Sequence, residues 1–124
     1  MKSPVYGVGV AIGSTSAVRY STLGSANSMV ADDVQQVPMP CPGTFSQLRP
    51  WMTTAPGSGK SYEYMVMKNG NTTDLSATVA DTALYNDNTT NTVSVVAGDL
   101  MSMRYTPSGT PASSGYQSHT LLFE

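Results

Sequence analysis

The sequence predicts an all-β fold, a single-domain jelly-roll β-sandwich of about eight strands with Greek-key topology. Three observations lead there. Short runs alternating apolar and polar residues recur between Gly, Pro, Asn and Asp punctuation, and no stretch of useful length carries a helical period. Charged residues are 11% of the chain, against about 25% in an average soluble domain, and hydroxyl side chains abound, which suits sheets with polar but uncharged outer faces. A length of 124 residues supplies one core and leaves no room for a second domain.

Taken in order, the predicted strands are Val5–Ile12, Ala17–Leu23, Met29–Val37, Thr44–Thr53, Ser61–Lys68, Leu75–Val79, Thr92–Val96, Leu100–Thr106 and Tyr116–Phe123. Proline removes ladder donors and biases its predecessor away from helix, so Pro38-Met39-Pro40-Cys41-Pro42-Gly43 and Pro107-Ser108-Gly109-Thr110-Pro111 read as loops. Asn69-Gly70 is a strong tight-turn signal because both residues tolerate positive φ; Ala97-Gly98-Asp99 is a weaker one.

The segment Thr54-Ala55-Pro56-Gly57-Ser58-Gly59-Lys60-Ser61 approaches a phosphate-binding loop without completing one. Such a loop needs a glycine where Thr54 stands, and a helix beginning at the lysine so that its first amides face the phosphate. Instead Tyr62, Tyr64 and Val66 alternate with Glu63, Met65 and Met67, a period of two that places Lys60 in a turn entering a strand.

A net charge of −2 with six scattered cations, Lys2, Arg19, Arg49, Lys60, Lys68 and Arg104, gives no footprint for nucleic acid or an anionic membrane. No run reaches transmembrane length and the first residues lack the apolar core of a signal peptide, so synthesis in a cytoplasm is the expectation. The lone Cys41 permits no internal disulfide, which leaves stability to packing or to oligomerisation.

From Gly43 to about Thr110 the chain resembles a jelly-roll module of tailed-bacteriophage virion proteins. The resemblance rests on Gly43-Thr44-Phe45-Ser46-Gln47-Leu48, Thr54-Ala55-Pro56-Gly57-Ser58-Gly59-Lys60-Ser61-Tyr62, Lys68-Asn69-Gly70, Val95-Val96-Ala97-Gly98-Asp99-Leu100 and Thr106-Pro107-Ser108-Gly109-Thr110-Pro111. Residues 43–124 are accordingly read as the module, and 1–42 as N-terminal strands with a possible arm, Ser3–Ile12, whose Gly7 and Gly9 permit close approach to a neighbour's sheet. The resemblance implies a non-enzymatic virion structural protein, made in the host bacterial cytoplasm and carried on the capsid surface. The expected role is a capsid decoration (cement) protein, its partners itself as a homotrimer and the major capsid protein, with no cofactor, nucleic acid or membrane. The alternative is a tail-fibre or receptor-binding tip whose exposed Tyr85, Tyr105 or Tyr116 stacks on host saccharide. A lectin-like accessory domain of a hydrolase, or a degenerate enzyme, is a third reading, disfavoured because no acid–base pair is identifiable.

Candidate interface residues are Val5, Tyr6, Val8 and Val10 of the arm, with Met65, Met67, Met101 and Met103, whose strands look apolar on both faces. Methionine fills irregular gaps, so a core role competes with an interface for these four. Trp51 is read as a core anchor, an interface hot spot or a sugar-stacking platform. His119 lacks the converging ligands of a metal site and an activated serine, and reads as structural. Cys41 between prolines has no neighbouring base to activate it. Asp32-Asp33 and the pair Asp81 and Asp87 lack EF-hand spacing and read as turn residues rather than a calcium site. Asn71-Thr72-Thr73 and Asn88-Thr89-Thr90 match the glycosylation pattern, which carries little weight without a secretory signal.

Overall fold

Alternation decides which face of each strand is buried. In the longest strand, Gly57–Lys68, Tyr62, Tyr64 and Val66 point into the core while Glu63 and Met65 stay half-exposed on the other side. The computed structural model describes residues 3–11, 14–24, 29–112 and 115–124, those of 6–11 by backbone alone. Among them are nine strands: β1 (Ser3–Ala11), β2 (Arg19–Ser21), β3 (Val37–Pro38), β4 (Gly43–Met52), β5 (Gly57–Lys68), β6 (Asn71–Asp81), β7 (Val93–Val95), β8 (Leu100–Ser108) and β9 (Tyr116–Phe123).

The strands form two antiparallel sheets, one ordered β1-β9-β4-β7 and the other β2-β8-β5-β6. Both β2 and β3 pair with β8, opposite Met103–Tyr105 and Leu100–Met101 respectively, so together they fill one edge position. This is the wrapped order of a jelly roll, as the punctuation of the sequence predicts. The N-terminal segment completes it: β1 pairs with β9, from Ser3 opposite Phe123 to Ala11 opposite Tyr116. Ser3–Ala11 is therefore an internal edge strand of the chain's own sheet, which corrects the expectation of an arm; Ile12 lies outside the described residues.

The core lies between the sheets, built from Phe45, Leu48, Met52 and Leu121 on one side and Tyr62, Tyr64, Val66, Leu75, Val79, Met101, Met103 and Tyr105 on the other. Tyr64 and Tyr105 meet edge to face with centroids 5.1 Å apart, and Phe45 and Phe123 tilt together at 4.8 Å. Several buried polar tips find partners. Tyr64 donates its hydroxyl proton to Gln117 Oε1, Tyr105 and Ser21 share a hydrogen bond of 2.7 Å, and His119 Nε2 donates to the Leu23 carbonyl at 2.7 Å.

The turns meet in two groups at opposite ends of β5 and β8. At one end Asn69 (φ 52) and Gly70 (φ 76) close the β5–β6 hairpin with the two positive φ angles of a type I′ turn. The Asn69 amide donates to Asp99 Oδ1 at 2.9 Å and its Oδ1 accepts the Leu100 N–H at 2.8 Å, which locks this hairpin onto the β7–β8 turn. Asp99 also accepts the Val96 N–H at 2.9 Å and lies 3.6 Å from Lys68 Nζ, while Lys68 donates to Ser94 O. The hydrogen bond from Asn69, then those from Val96 and Lys68, hold its carboxyl below the usual value. At the other end the Gly59 N–H donates to Asp81 Oδ1 at 2.7 Å, and Gly109 (φ 74) passes so close that a Cβ there would stand 3.0 Å from Gly59 O. Lys60 lies inside β5, so the residues after Gly59 form a strand where a phosphate loop requires a helix.

One predicted strand does not form. Within Met29–Val37, Val30 makes a single bridge to Tyr20 and Val37 belongs to β3; between them the Val34 N–H turns back to Asp32 O at 2.8 Å and Gln36 Nε2 donates to Asp33 O at 2.8 Å. The Asp-Asp pair makes turn contacts that interrupt the ladder.

Candidate binding site

The outer face of the β1-β9-β4-β7 sheet owes its shape to a bulge in β4. Phe45 and Ser46 pair with Phe123 and Leu122, the register then slips, and Arg49 to Met52 pair with Thr120 to Gln117. The extra residue is Gln47, exposed and at φ 53, a left-handed conformation unusual for a side chain of its size. Beyond the slip Leu48, Pro50 and Met52 are buried, and Arg49 and Trp51 point outward.

The segment Leu84–Asn88 lies along the other edge of β4. The Met52 N–H donates to Leu84 O at 2.7 Å, and the Asn88 N–H donates to Leu48 O at 2.9 Å. Two bridges, Trp51 with Tyr85 and Leu48 with Asn88, fix an antiparallel register in which Arg49 faces Asp87. Alternation divides the work along Tyr85-Asn86-Asp87-Asn88. Asn86 Nδ2 and Asn88 Nδ2 donate to Thr78 O and Ser76 O of β6 at 2.8 and 2.7 Å, anchoring the segment, while Tyr85 and Asp87 meet β4's outward residues.

Two cross-strand pairs result, two positions apart on one face. Trp51 and Tyr85 are 44% and 58% exposed, a great deal of aromatic surface left in water. Beside them Arg49 grips Asp87 with both forks, Nε to Oδ1 at 2.6 Å and Nη2 to Oδ2 at 2.8 Å. The hydrogen bond and charge of Asp87 hold the guanidinium more firmly protonated than usual. On the β9 side Thr120 stands opposite Arg49 and Ser118 opposite Trp51. Tyr116, one pair further on and 58% exposed, extends the aromatic surface. A cavity of about 180 Å³ lies at the bulge, lined by Gln47, Leu48, Arg49, Asp87, Thr89 and Thr120.

The other sequence candidates fall elsewhere. Tyr105 is buried in β8 with its hydroxyl on Ser21, so it offers no surface for stacking, whereas Tyr85 and Tyr116 do. Met101 and Met103 are 1% and 0% exposed in the core of the chain itself, which corrects their candidacy for an interface. Met67 is buried opposite Ser102, and Met65 is half-buried, its sulfur accepting from Arg104 Nη2 at 3.3 Å. Val5 borders an apolar recess of about 340 Å³ with Leu23, Val37, Met39, Phe45 and Phe123. Tyr6, Val8 and Val10 belong to β1, and their side chains lie outside the described residues. His119 is 3% exposed; burial lowers its pKa and the bond to Leu23 offsets that in part. Cys41 is exposed. Asp81 and Asp87 are each engaged separately, by Gly59 and Arg49, and no group of three potential metal ligands occurs among the described residues.

The Arg49–Asp87 pair is the feature that sequence reading misses. Its members are 38 residues apart, and their meeting depends on the bulge. The signal within reach is the alternation of Tyr85 and Asp87 with two asparagines, the pattern of a strand-like edge with one polar anchoring side.

No protein-family model matches the chain, and no curated protein matches its sequence. Among solved structures it is similar to a family 35 carbohydrate-binding module from Clostridium thermocellum, at 13% identity and a TM-score of 0.48, with 97% of each chain covered.

Proposed function

We propose that the chain is a non-catalytic module that recognises a saccharide with the outer face of the β1-β9-β4-β7 sheet. The observation that carries the reading is the placement of the exposed Trp51–Tyr85 pair beside the Arg49–Asp87 pair on one face. Aromatic faces offer apolar surface to the C–H face of a sugar ring, and the neighbouring ion pair keeps spare N–H groups and lone pairs for its hydroxyls. The acid count supports binding rather than hydrolysis. Glycoside cleavage commonly uses two carboxyl groups flanking the bond, whereas this cavity is lined by Asp87 alone, already tied to Arg49. Jelly rolls serve both lectins and viral capsids, so the fold is compatible with the reading without choosing it.

The test is a glycan array probed with the protein and with Trp51→Ala. Saturable binding that falls about tenfold or more in the variant is expected, the scale on which losing an aromatic anchor acts. Failure of the native protein to bind any glycan would overturn the reading.

A second reading, capsid decoration, is favoured by the motif order that resembles phage virion modules. In it the protein, as a homotrimer, cements the major capsid protein lattice. Binding of the purified protein to undecorated heads is its test, and no binding would remove it. The two readings are compatible, since a virion surface module can carry a saccharide site.

A further inference from the structure

We propose that the cavity at the β4 bulge is a subsite for one uncharged sugar residue, whose neighbouring hydroxyls bridge the Arg49–Asp87 pair while Trp51 and Tyr85 take up the adjoining part of the glycan. The proposal rests on the saccharide reading and names the ligand class of that same face.

Size comes first. A cavity of about 180 Å³ is smaller than the sites of about 300–1,000 Å³ that enclose drug-sized ligands, which fits a single ring with the rest of the chain lying along the open face.

Charge comes next. The lining holds one cation and one anion, and they are bound to each other. An acidic sugar entering here meets a guanidinium already neutralised and a carboxylate that repels it. A neutral polyol meets no such penalty. Two of Arg49's five N–H groups are used on Asp87, and the carboxylate keeps lone pairs beyond the two that Arg49 takes. Donors and acceptors therefore sit side by side, so that one hydroxyl can accept from the guanidinium while its neighbour donates to the carboxylate. Thr120 and Thr89 add hydroxyls on the other walls.

Backbone geometry supplies an independent argument. Gln47 holds φ 53 in the bulge, where glycine would relieve the strain, yet the residue there carries an amide and lines the cavity. Left-handed conformations at non-glycine residues and bulges both concentrate where a side chain is aimed at a ligand.

The experiment is a titration of the intact protein, followed by calorimetry, with neutral glycans and with matched uronic and sialic acids. Native protein is expected to prefer the neutral member by about tenfold or more, the scale of one charge-assisted hydrogen bond. Asp87→Asn frees the guanidinium, so the preference should shift toward the acidic glycan, a change that a loss of folding cannot mimic. Gln47→Gly removes the amide at a position whose φ suits glycine, so affinity should fall with no loss of thermal stability. Equal or better binding of acidic glycans by native protein overturns the proposal. So does unchanged affinity and selectivity in both variants while Trp51→Ala abolishes binding, an outcome that leaves the saccharide reading standing. No binding of either class removes both.

Discussion

His119 is the residue whose chemistry reaches furthest into stability. Its ring is buried with Nε2 on the Leu23 carbonyl, and its pKa lies below the ordinary value of 6.5. Above that value the imidazole is neutral whether the chain is folded or not. Below it the unfolded chain takes up a proton that the folded chain refuses, so stability falls with pH until the lowered folded value is passed. Thermal unfolding followed from about pH 7 to pH 5 should show this loss, and His119→Gln, which keeps a donor for Leu23, should flatten it. The two turn glycines give a second contrast. Gly70 at φ 76 has open space around its missing Cβ, so Gly70→Ala should cost only the left-handed backbone, about 1 kcal/mol in chemical denaturation. Gly109→Ala adds a contact at 3.0 Å with Gly59 O and should cost more. At this scale much was legible in the sequence. His119 reads as structural because no partner accompanies it, and Asn69-Gly70 announces its turn. Arg49 and Asp87 were illegible as a pair because their contact is made by tertiary register, 38 residues apart.

Strands and turns show what the virion-like motifs do physically. Lys68-Asn69-Gly70 and Ala97-Gly98-Asp99-Leu100 bind each other at one end of the sandwich, and Gly109, just past β8, abuts Gly59 and Lys60 near the start of β5 at the other. These turn motifs thus tie together the ends of β5 and β8, whereas Gln47 and Leu48 of the Gly43–Leu48 motif line the cavity at the bulge. Asn69→Ala should lose both side-chain hydrogen bonds and the left-handed tolerance, about 2–3 kcal/mol together, while Asn69→Gly should recover the backbone part, about 1 kcal/mol. Equal losses in the two variants would show the backbone conformation to be irrelevant. Element boundaries follow local pattern where the strand is its own signal. β9 runs over Tyr116–Phe123 as its alternation predicts, and β5 buries the face carrying Tyr62, Tyr64 and Val66. Met29–Val37 misleads because its valines imitate a strand while Asp32 and Asp33 take the backbone into a turn. Ser3–Ala11 shows the opposite limit: its strand character is local, whereas the choice between a neighbour's sheet and its own is made by the edge of β9. Deleting residues 3–11 should therefore lower the unfolding temperature sharply, because it strips a paired edge and exposes β9.

At the largest scale the described residues form a jelly roll with a sparsely charged exterior, an exposed aromatic strip and an apolar recess bordered by Val5, Val37 and Phe123. Composition and punctuation suffice for that architecture, since strands without helices, in one domain, have few ways to bury two faces. Function was less legible, because the sequence spreads the proposed binding face over β4, β9 and the Leu84–Asn88 segment, and only the folded register joins them. Oligomeric state belongs to this scale too. The homotrimer of the decoration reading predicts three chains in native mass spectrometry of protein released from particles, and a monomer there would remove it. The central claim concerns Trp51, and the chain provides its own reporter, since Trp51 is the only tryptophan. Fluorescence titration with glycans therefore reads the proposed face directly. A saturable change in emission with a neutral glycan, lost in Tyr85→Ala, is the predicted result; glycan binding that leaves the emission of Trp51 unchanged, or no binding at all, would contradict it.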